Sequence, residues 1–199
     1  MARETRTLSR PLEVRAADSV RTISGYAAVF NSPSNIGDMW QEVIMPGAFT
    51  ASLASDQDVL ALYSHEIERL LGRRSSGTLR LSEDAKGLAI EIDLPDTTDG
   101  RDVAVLVERG DLKGMSFGFC VTKQEWDETT NPPKRTIMSV DLFEVTVTAD
   151  PAYTDTEVGM QELERSRRDR RQRNFKAAAN RVSMKVSIDL RERGLVSKA

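Results

Sequence analysis

Apolar and polar positions alternate along several short stretches of this chain, which predicts a body built mainly of strands. Residues 22–30, Thr-Ile-Ser-Gly-Tyr-Ala-Ala-Val-Phe, are apolar and β-prone, and Asn31-Ser32-Pro33-Ser34 closes them with turn chemistry. Leu79 and Leu81 alternate with Arg80 and Ser82, and the polar turn Glu83–Gly87 follows. Leu88, Ile90, Ile92 and Leu94 then share one face while Glu91 and Asp93 take the other, as in a strand with one buried side. Met115, Phe117, Phe119 and Val121 repeat the pattern against Ser116, Gly118, Cys120 and Thr122, and Thr136 to Ala149 reads as the last long strand.

Helical signals are few. Phe49 and Leu53 lie four apart after Pro46-Gly47. Thr98 or Asp99 can cap a helix whose apolar face is Val103, Leu106 and Val107, and Gly110 sits where a left-handed residue would end it. The pattern predicts a mostly β (α+β) body over 22–156, mainly antiparallel and closed into a barrel, with short helices at its periphery. Residues 1–21 carry no comparable pattern and are expected to be a flexible N-terminal segment. From Glu157 the strand signals cease, and Glu162-Leu163-Glu164 leads into an arginine-dense, helix-prone run, so 157–199 is expected to be a basic helical tail.

Charge sharpens this division. Residues 157–199 hold 12 Lys/Arg and 6 Asp/Glu, a net of +6, so the remainder of this chain of net charge −3 carries −9. An acidic body argues against a nucleic-acid-binding barrel, because phosphate contacts need a basic surface. The tail has four readings: an electrostatic handle, a self-cleaved segment, a solvated helix face, or a non-specific nucleic-acid contact, and Glu162, Glu164 and Asp169 argue against a strong form of the last. No apolar run approaches the roughly 20 residues that span a bilayer, and the arginine-containing start is not followed by a secretory apolar stretch. With one cysteine, Cys120, there is no internal disulfide, and a reducing compartment is expected.

The chain has one histidine, His65, directly after the apolar run 59–63. Acid–base work near neutral pH would fall to it, while a two-histidine metal site or a triad with two histidines is excluded; no cofactor or metal is expected. Ser116 lies in Gly-Met-Ser-Phe-Gly, which formally matches the G-x-S-x-G elbow of α/β-hydrolases. The elbow needs a helix after the serine, and here a strand follows; the elbow's order also places the histidine after the serine, whereas His65 precedes it. The flanking glycines keep bulk away from the hydroxyl. A serine needs a base to become a nucleophile, and the base needs a third group to fix its tautomer. Asp141, Glu144, Asp150, Glu66 and Glu68 are the candidates. Glu144 stands out, because it interrupts the apolar stretch Leu142-Phe143-Glu144-Val145.

Taken in order, these segments resemble the HK97-type prohead (capsid maturation) proteases. The matching stretches are Gly25–Asn31, Pro46-Gly47-Ala48-Phe49, Leu62-Tyr63-Ser64-His65-Glu66 and Leu71-Gly72-Arg73. Ser76-Gly77-Thr78-Leu79, Met115-Ser116-Phe117-Gly118-Phe119, Glu144-Val145-Thr146-Val147 and Asp150-Pro151-Ala152 complete them. The resemblance implies a barrel like that of the herpesvirus assemblins and a serine endopeptidase with His65 as base, Ser116 as nucleophile and Glu144 as acid. It further implies cleavage of scaffold, or of a scaffold-like segment of the major capsid protein, and of the protease itself, inside the procapsid in the host cytoplasm. Capsid and scaffold proteins are the expected partners, self-association is open, and neither membrane nor nucleic acid is expected. Two departures stand out: the second histidine of the assemblins is missing, and Ser64 stands where many relatives have asparagine. A protease fold retained as an inactive scaffold or assembly chaperone is the rival reading; a fused downstream scaffold is not expected from so short a tail.

Overall fold

The computed structural model describes residues 3–9, 12–17, 20–37, 39–149, 164, 167–176, 181 and 184. The chain divides into two compact units, Met1–Val158 and Gly159–Ala199. Among the described residues of the first, eleven strands and two helices run in the order β1 (Glu4–Ser9), β2 (Glu13–Ala17), β3 (Val20–Val29), β4 (Ser34–Ile36), β5 (Trp40–Ile44), α1 (Thr50–Ala54), β6 (Leu60–Tyr63), β7 (Glu66–Arg73), β8 (Leu79–Glu83), β9 (Gly87–Asp93), α2 (Thr98–Glu108), β10 (Gly114–Asp127) and β11 (Lys134–Thr148). In the second, residues 167–176 are helical, and much of the expected basic tail lies outside the described residues.

The strands form two sheets rather than the closed barrel expected. One runs β1-β10-β11-β5-β4, with β6 paired to β11 and β7 to β6; the other runs β2-β3-β9-β8. Alternation tells which face of a strand is buried but not whether the last strand closes on the first, and here β1, β4, β7, β2 and β8 remain as edges. Nor is the larger sheet wholly antiparallel, because β5 and β6 both run parallel to β11. One core joins the sheets: Ile23, Leu79, Ile90 and Ile92 from the smaller meet Met115, Phe117, Val145 and Val147 from the larger. Phe49 bridges them, its ring 5.6 Å from Phe117 in an edge-on contact. Helix α2 is capped by Thr97, one residue before the expected position, and ends at Gly110, whose φ of 77° is the left-handed conformation foreseen.

Residues 1–21 depart most from expectation, since β1 and β2 are ordered strands within them. Alternating Glu4-Thr5-Arg6-Thr7 looks like solvated chain, yet Glu4 and Arg6 are buried. They join Glu42 of β5 and Arg135 of β11 in a cluster that is formally neutral. Arg135 donates to both carboxylates at 2.7 to 3.0 Å, and Arg6 donates to Glu42 at 2.7 Å and to Glu4 at 2.7 Å. Burial opposes the charge of Glu42, but Arg6 and Arg135 outweigh it and hold the carboxyl below its usual range. Trp126 lies against the Arg135 guanidinium at 5.6 Å.

Buried charges stabilise only as a complete set, and loss of one member leaves the others desolvated and unpaired. Replacing fully buried Arg135 by Met strands two glutamates with Arg6 alone. It should cost about 3–5 kcal/mol of unfolding free energy, measured by urea titration. A change within 1 kcal/mol or so would mean that the cluster does not anchor β1.

Candidate active site

Strand β11 carries an extra residue relative to β10. Gly118 opposes Glu144 but Phe119 opposes Leu142, so Phe143 is bulged out of register. A one-residue insertion reverses which positions face the core. Before the bulge Val140 and Leu142 are core residues; after it Val145 and Val147 are. Glu144 therefore faces away from the core, on the same side as Thr146 and, across the pair, Gly118 and Ser116.

The backbone around this bulge is held by residues near α1. Leu142 N–H donates to Ser52 Oγ at 2.9 Å, Leu142 C=O accepts from Gln57 Nε2 at 3.1 Å, and Val140 N–H donates to the Ala48 carbonyl at 3.0 Å. They satisfy β11 between the end of its pairing with β5 at Ile137 and the start of its pairing with β6 at Glu144. Arg74 in turn fastens the end of α1, donating to the carbonyls of Leu53 at 2.6 Å, Ser55 at 3.0 Å and Gln57 at 3.1 Å.

His65 reaches this face from a two-residue hairpin. Tyr63 pairs with Glu66, and Ser64 and His65 between them both have positive φ, 54° and 62°. Two left-handed residues match the twist of a tight hairpin but strain side chains other than Gly or Asn. Ser64 N–H donates to the Val147 carbonyl at 3.0 Å, which ties the turn to β11. Tyr63 lies under the Arg69 guanidinium at 3.9 Å, and Arg69 donates to Asp99 at 2.7 Å, linking the hairpin to α2. From the turn the imidazole extends back to Glu144, with Nδ1 2.8 Å from Glu144 Oε1. The histidine side chain is 34% exposed and that of the glutamate 9%. Arg3 approaches the other oxygen, Oε2, at 3.4 Å.

Ser116 lies on β10 directly across from Thr146 and two residues from Gly118. With strands about 5 Å apart and a rise of about 3.4 Å per residue, Ser116 and Glu144 are about 8 Å apart at Cα, a gap that an imidazole and its two hydrogen bonds can bridge. Here the serine hydroxyl is fully buried and donates to the Arg6 carbonyl at 3.0 Å.

The sequence profile of the Caudovirus prohead serine proteases matches residues 10–170. The chain belongs to that family. It is also 34% identical over 132 residues to the prohead protease of Enterobacteria phage HK97, a match covering 64% of this chain and 54% of the relative, so it spans about half that protein's length. The capsid assembly protease of bacteriophage T4 has a similar fold, with a TM-score of 0.52 over 75% of this chain and 98% of that one, at 10% identity.

In this prohead-protease chain the structure brings His65 and Glu144 into contact and sets Ser116 on their face. The other carboxylates stand differently. Asp141 pairs with Cys120 on the far side of the bulge, Glu66 and Glu68 are exposed on β7, and Asp150 lies outside the described residues. Grooves of about 360 Å³ beside Tyr26 and Arg80, and about 370 Å³ beside Gln41 and Asn131, are lined by other residues. Among the described residues no group of three His, Cys, Asp or Glu side chains could hold a metal ion, and no helix is long and apolar enough to cross a membrane.

Sequence reasoning missed Ser52, Gln57 and Arg74, since their partners are backbone groups distant in the chain. It also assigned Gly118 to openness around the serine. The structure gives that glycine another duty: a Cβ there would lie 2.9 Å from both Cγ and Oε1 of Glu144. Gly118→Ala should leave the strand paired but displace the carboxylate, and NMR can read this directly because the chain has one histidine. The downfield Nδ1–H signal of His65 should be lost or shifted upfield in the variant. An unchanged signal would show that the methyl group is accommodated without moving Glu144.

Ser64 offers a second test, because asparagine tolerates the left-handed region better than serine. Ser64→Asn should raise stability by about 0.5–1 kcal/mol, seen as a higher urea midpoint. A lower midpoint would mean that the turn is not strained at this residue.

Proposed function

We propose that this chain is a serine endopeptidase that matures a phage procapsid, with Ser116 as nucleophile, His65 as general base and acid, and Glu144 as the group that orients the imidazole. The observation that carries this reading is the 2.8 Å contact between His65 Nδ1 and Glu144 Oε1, on the face that Ser116 shares. Its partners are a scaffold protein or a scaffold-like segment of the major capsid protein, met inside the assembling procapsid in the host cytoplasm. The protease also cuts itself, and the arginine-rich run 167–176, largely exposed, offers charged chain for that cut.

For catalysis the Ser116 hydroxyl turns from the Arg6 carbonyl to His65 Nε2. Glu144 accepts a hydrogen bond from Nδ1–H, which leaves the Nε2 lone pair free to take the serine proton. Oγ then attacks the scissile carbonyl carbon. A C–O bond forms, the carbonyl electron pair moves to oxygen, and backbone N–H groups must stabilise the resulting oxyanion. The imidazolium, stabilised by the carboxylate, returns its proton to the leaving amine as the C–N bond breaks. Water enters by the same route in reverse: His65 takes its proton, the acyl ester is hydrolysed, and Ser116 is regenerated.

The experiment mixes wild type and Ser116→Ala with capsid or scaffold protein and follows intact masses over time. Wild type should give discrete fragments, including any from its own tail, while Ser116→Ala should be slower by about 10⁴–10⁶-fold. Glu144→Gln should lose about 10²–10⁴-fold with its fold intact, and Asp141→Asn should stay near wild type. Cleavage by Ser116→Ala at the wild-type rate removes the nucleophile, and a larger loss in Asp141→Asn moves the orienting role there. No fragments from a folded wild type on assembled substrate would favour an inactive scaffold.

A further inference from the structure

Thr146 is fully buried, and its Oγ1 has no hydrogen-bond partner among the described residues. A hydroxyl in that position is costly, because it gives up water and gains nothing in return. Its neighbours along the strand, Val145 and Val147, are buried valines, and valine has nearly the same shape as threonine without the unpaired polar atom. A position serving only to pack would be better filled by valine. The orphaned hydroxyl therefore points to a partner acquired in another state of the site.

Its surroundings identify that partner. Thr146 is directly opposite Ser116 across the β10–β11 pair, and both residues face the side that carries Glu144. His65 stems from a turn fastened at Val147 and reaches Glu144, so its ring spans the level of Thr146 on β11. The serine hydroxyl has only one proton. While it donates to the Arg6 carbonyl, that bond fixes the side chain. Once the proton is directed to His65, the Arg6 carbonyl can no longer hold the oxygen, since a carbonyl cannot donate. Ser116 Oγ then needs a donor, and Thr146 supplies a free one from the facing strand.

We propose that Thr146 is a positioning residue for the nucleophile: in the working state its hydroxyl donates to Ser116 Oγ and fixes the serine while the serine proton goes to His65. This rests on the protease reading above. The bond makes no contact with substrate, so its loss lowers the rate of attack and leaves substrate binding alone. It also acts on any electrophile that Ser116 attacks, which gives a measure independent of the peptide.

The test compares wild type, Thr146→Val and Thr146→Ser, with Ser116→Ala as the control. Two rates are measured: cleavage of the capsid-derived substrate, resolved into kcat and KM, and labelling of Ser116 by a fluorophosphonate, read by mass. Thr146→Val should unfold at the same or a higher temperature, with kcat and labelling rate both reduced about 10–100-fold and KM within about twofold of wild type. Thr146→Ser, which keeps the donor, should recover most of both rates. Unchanged kcat and labelling in Thr146→Val would overturn the proposal, as would failure of that variant to fold, which would make the hydroxyl structural. Wild type that neither cleaves nor labels at Ser116 would instead bring down the protease reading, and this inference with it.

Discussion

The direction of Glu144 is set by the bulge at Phe143, and the rest of the site is arranged around that offset. A strand that kept its register from Val140 to Val147 would send Glu144 inward with Leu142, into a core with no cation to meet it. With the bulge, β11 keeps an apolar face on the core side at both ends and exchanges the parity of its residues in between. On the side away from β10, the backbone between Ile137 and Glu144 has no neighbouring strand. Ser52, Gln57 and the Ala48 carbonyl fill that gap, which explains why a five-residue helix is fastened so thoroughly by Arg74. Sheet, helix and carboxylate are thus one mechanical unit.

Rigidity elsewhere supports the strain stored near His65. Two consecutive left-handed residues are unfavourable for Ser and His. They persist because the flanking strand β6 is paired on both sides, with β7 and with β11, and because Tyr63 is clamped by Arg69. The benefit is geometric. A tight turn has few conformations, so the imidazole is held in the orientation its carboxylate partner requires before any substrate arrives. The neutral cluster of Glu4, Arg6, Glu42 and Arg135 does the same for β1, whose Arg6 carbonyl is the acceptor for Ser116.

The elements with one apolar face were legible in the sequence because burial imposes a period of two. Strand β9 shows it in its burial and β10 in its apolar positions; the terminal glycine of α2 was legible too, whereas its cap is Thr97, one residue before the positions expected. Elements that violate the rule were not legible. Strand β1 buries charges that neutralise one another across long sequence separation, and β7 is an edge with Ile67 and Leu70 exposed. Sheet closure was misjudged since alternation is local while closure is a property of the whole strand order. At the site, Glu144 was visible as a lone carboxylate in an apolar stretch, but the bulge at Phe143 that turns it outward was not, because it depends on the register with β10. The role of Gly118 was not, because it depends on which residue faces it across the pair.

The contrast between the two halves of the site has a physical reading. His65 and Glu144 already make their hydrogen bond, whereas Ser116 directs its proton to a backbone carbonyl of β1. Preforming this hydrogen-bonded pair is the expensive part, because orienting an imidazole and desolvating a carboxylate both require fixed structure. Redirecting the serine needs only rotation about one side-chain bond, with one hydrogen bond exchanged for another. Arg3 adds to this state by approaching the second oxygen of Glu144, leaving Oε1 to the histidine. The N-terminal segment therefore supplies both the acceptor that holds the nucleophile, Arg6 of β1, and the cation that balances the acid, Arg3 just before that strand. Since β1 is anchored by fully paired buried charges, this arrangement belongs to the folded body itself and does not depend on a detachable strap.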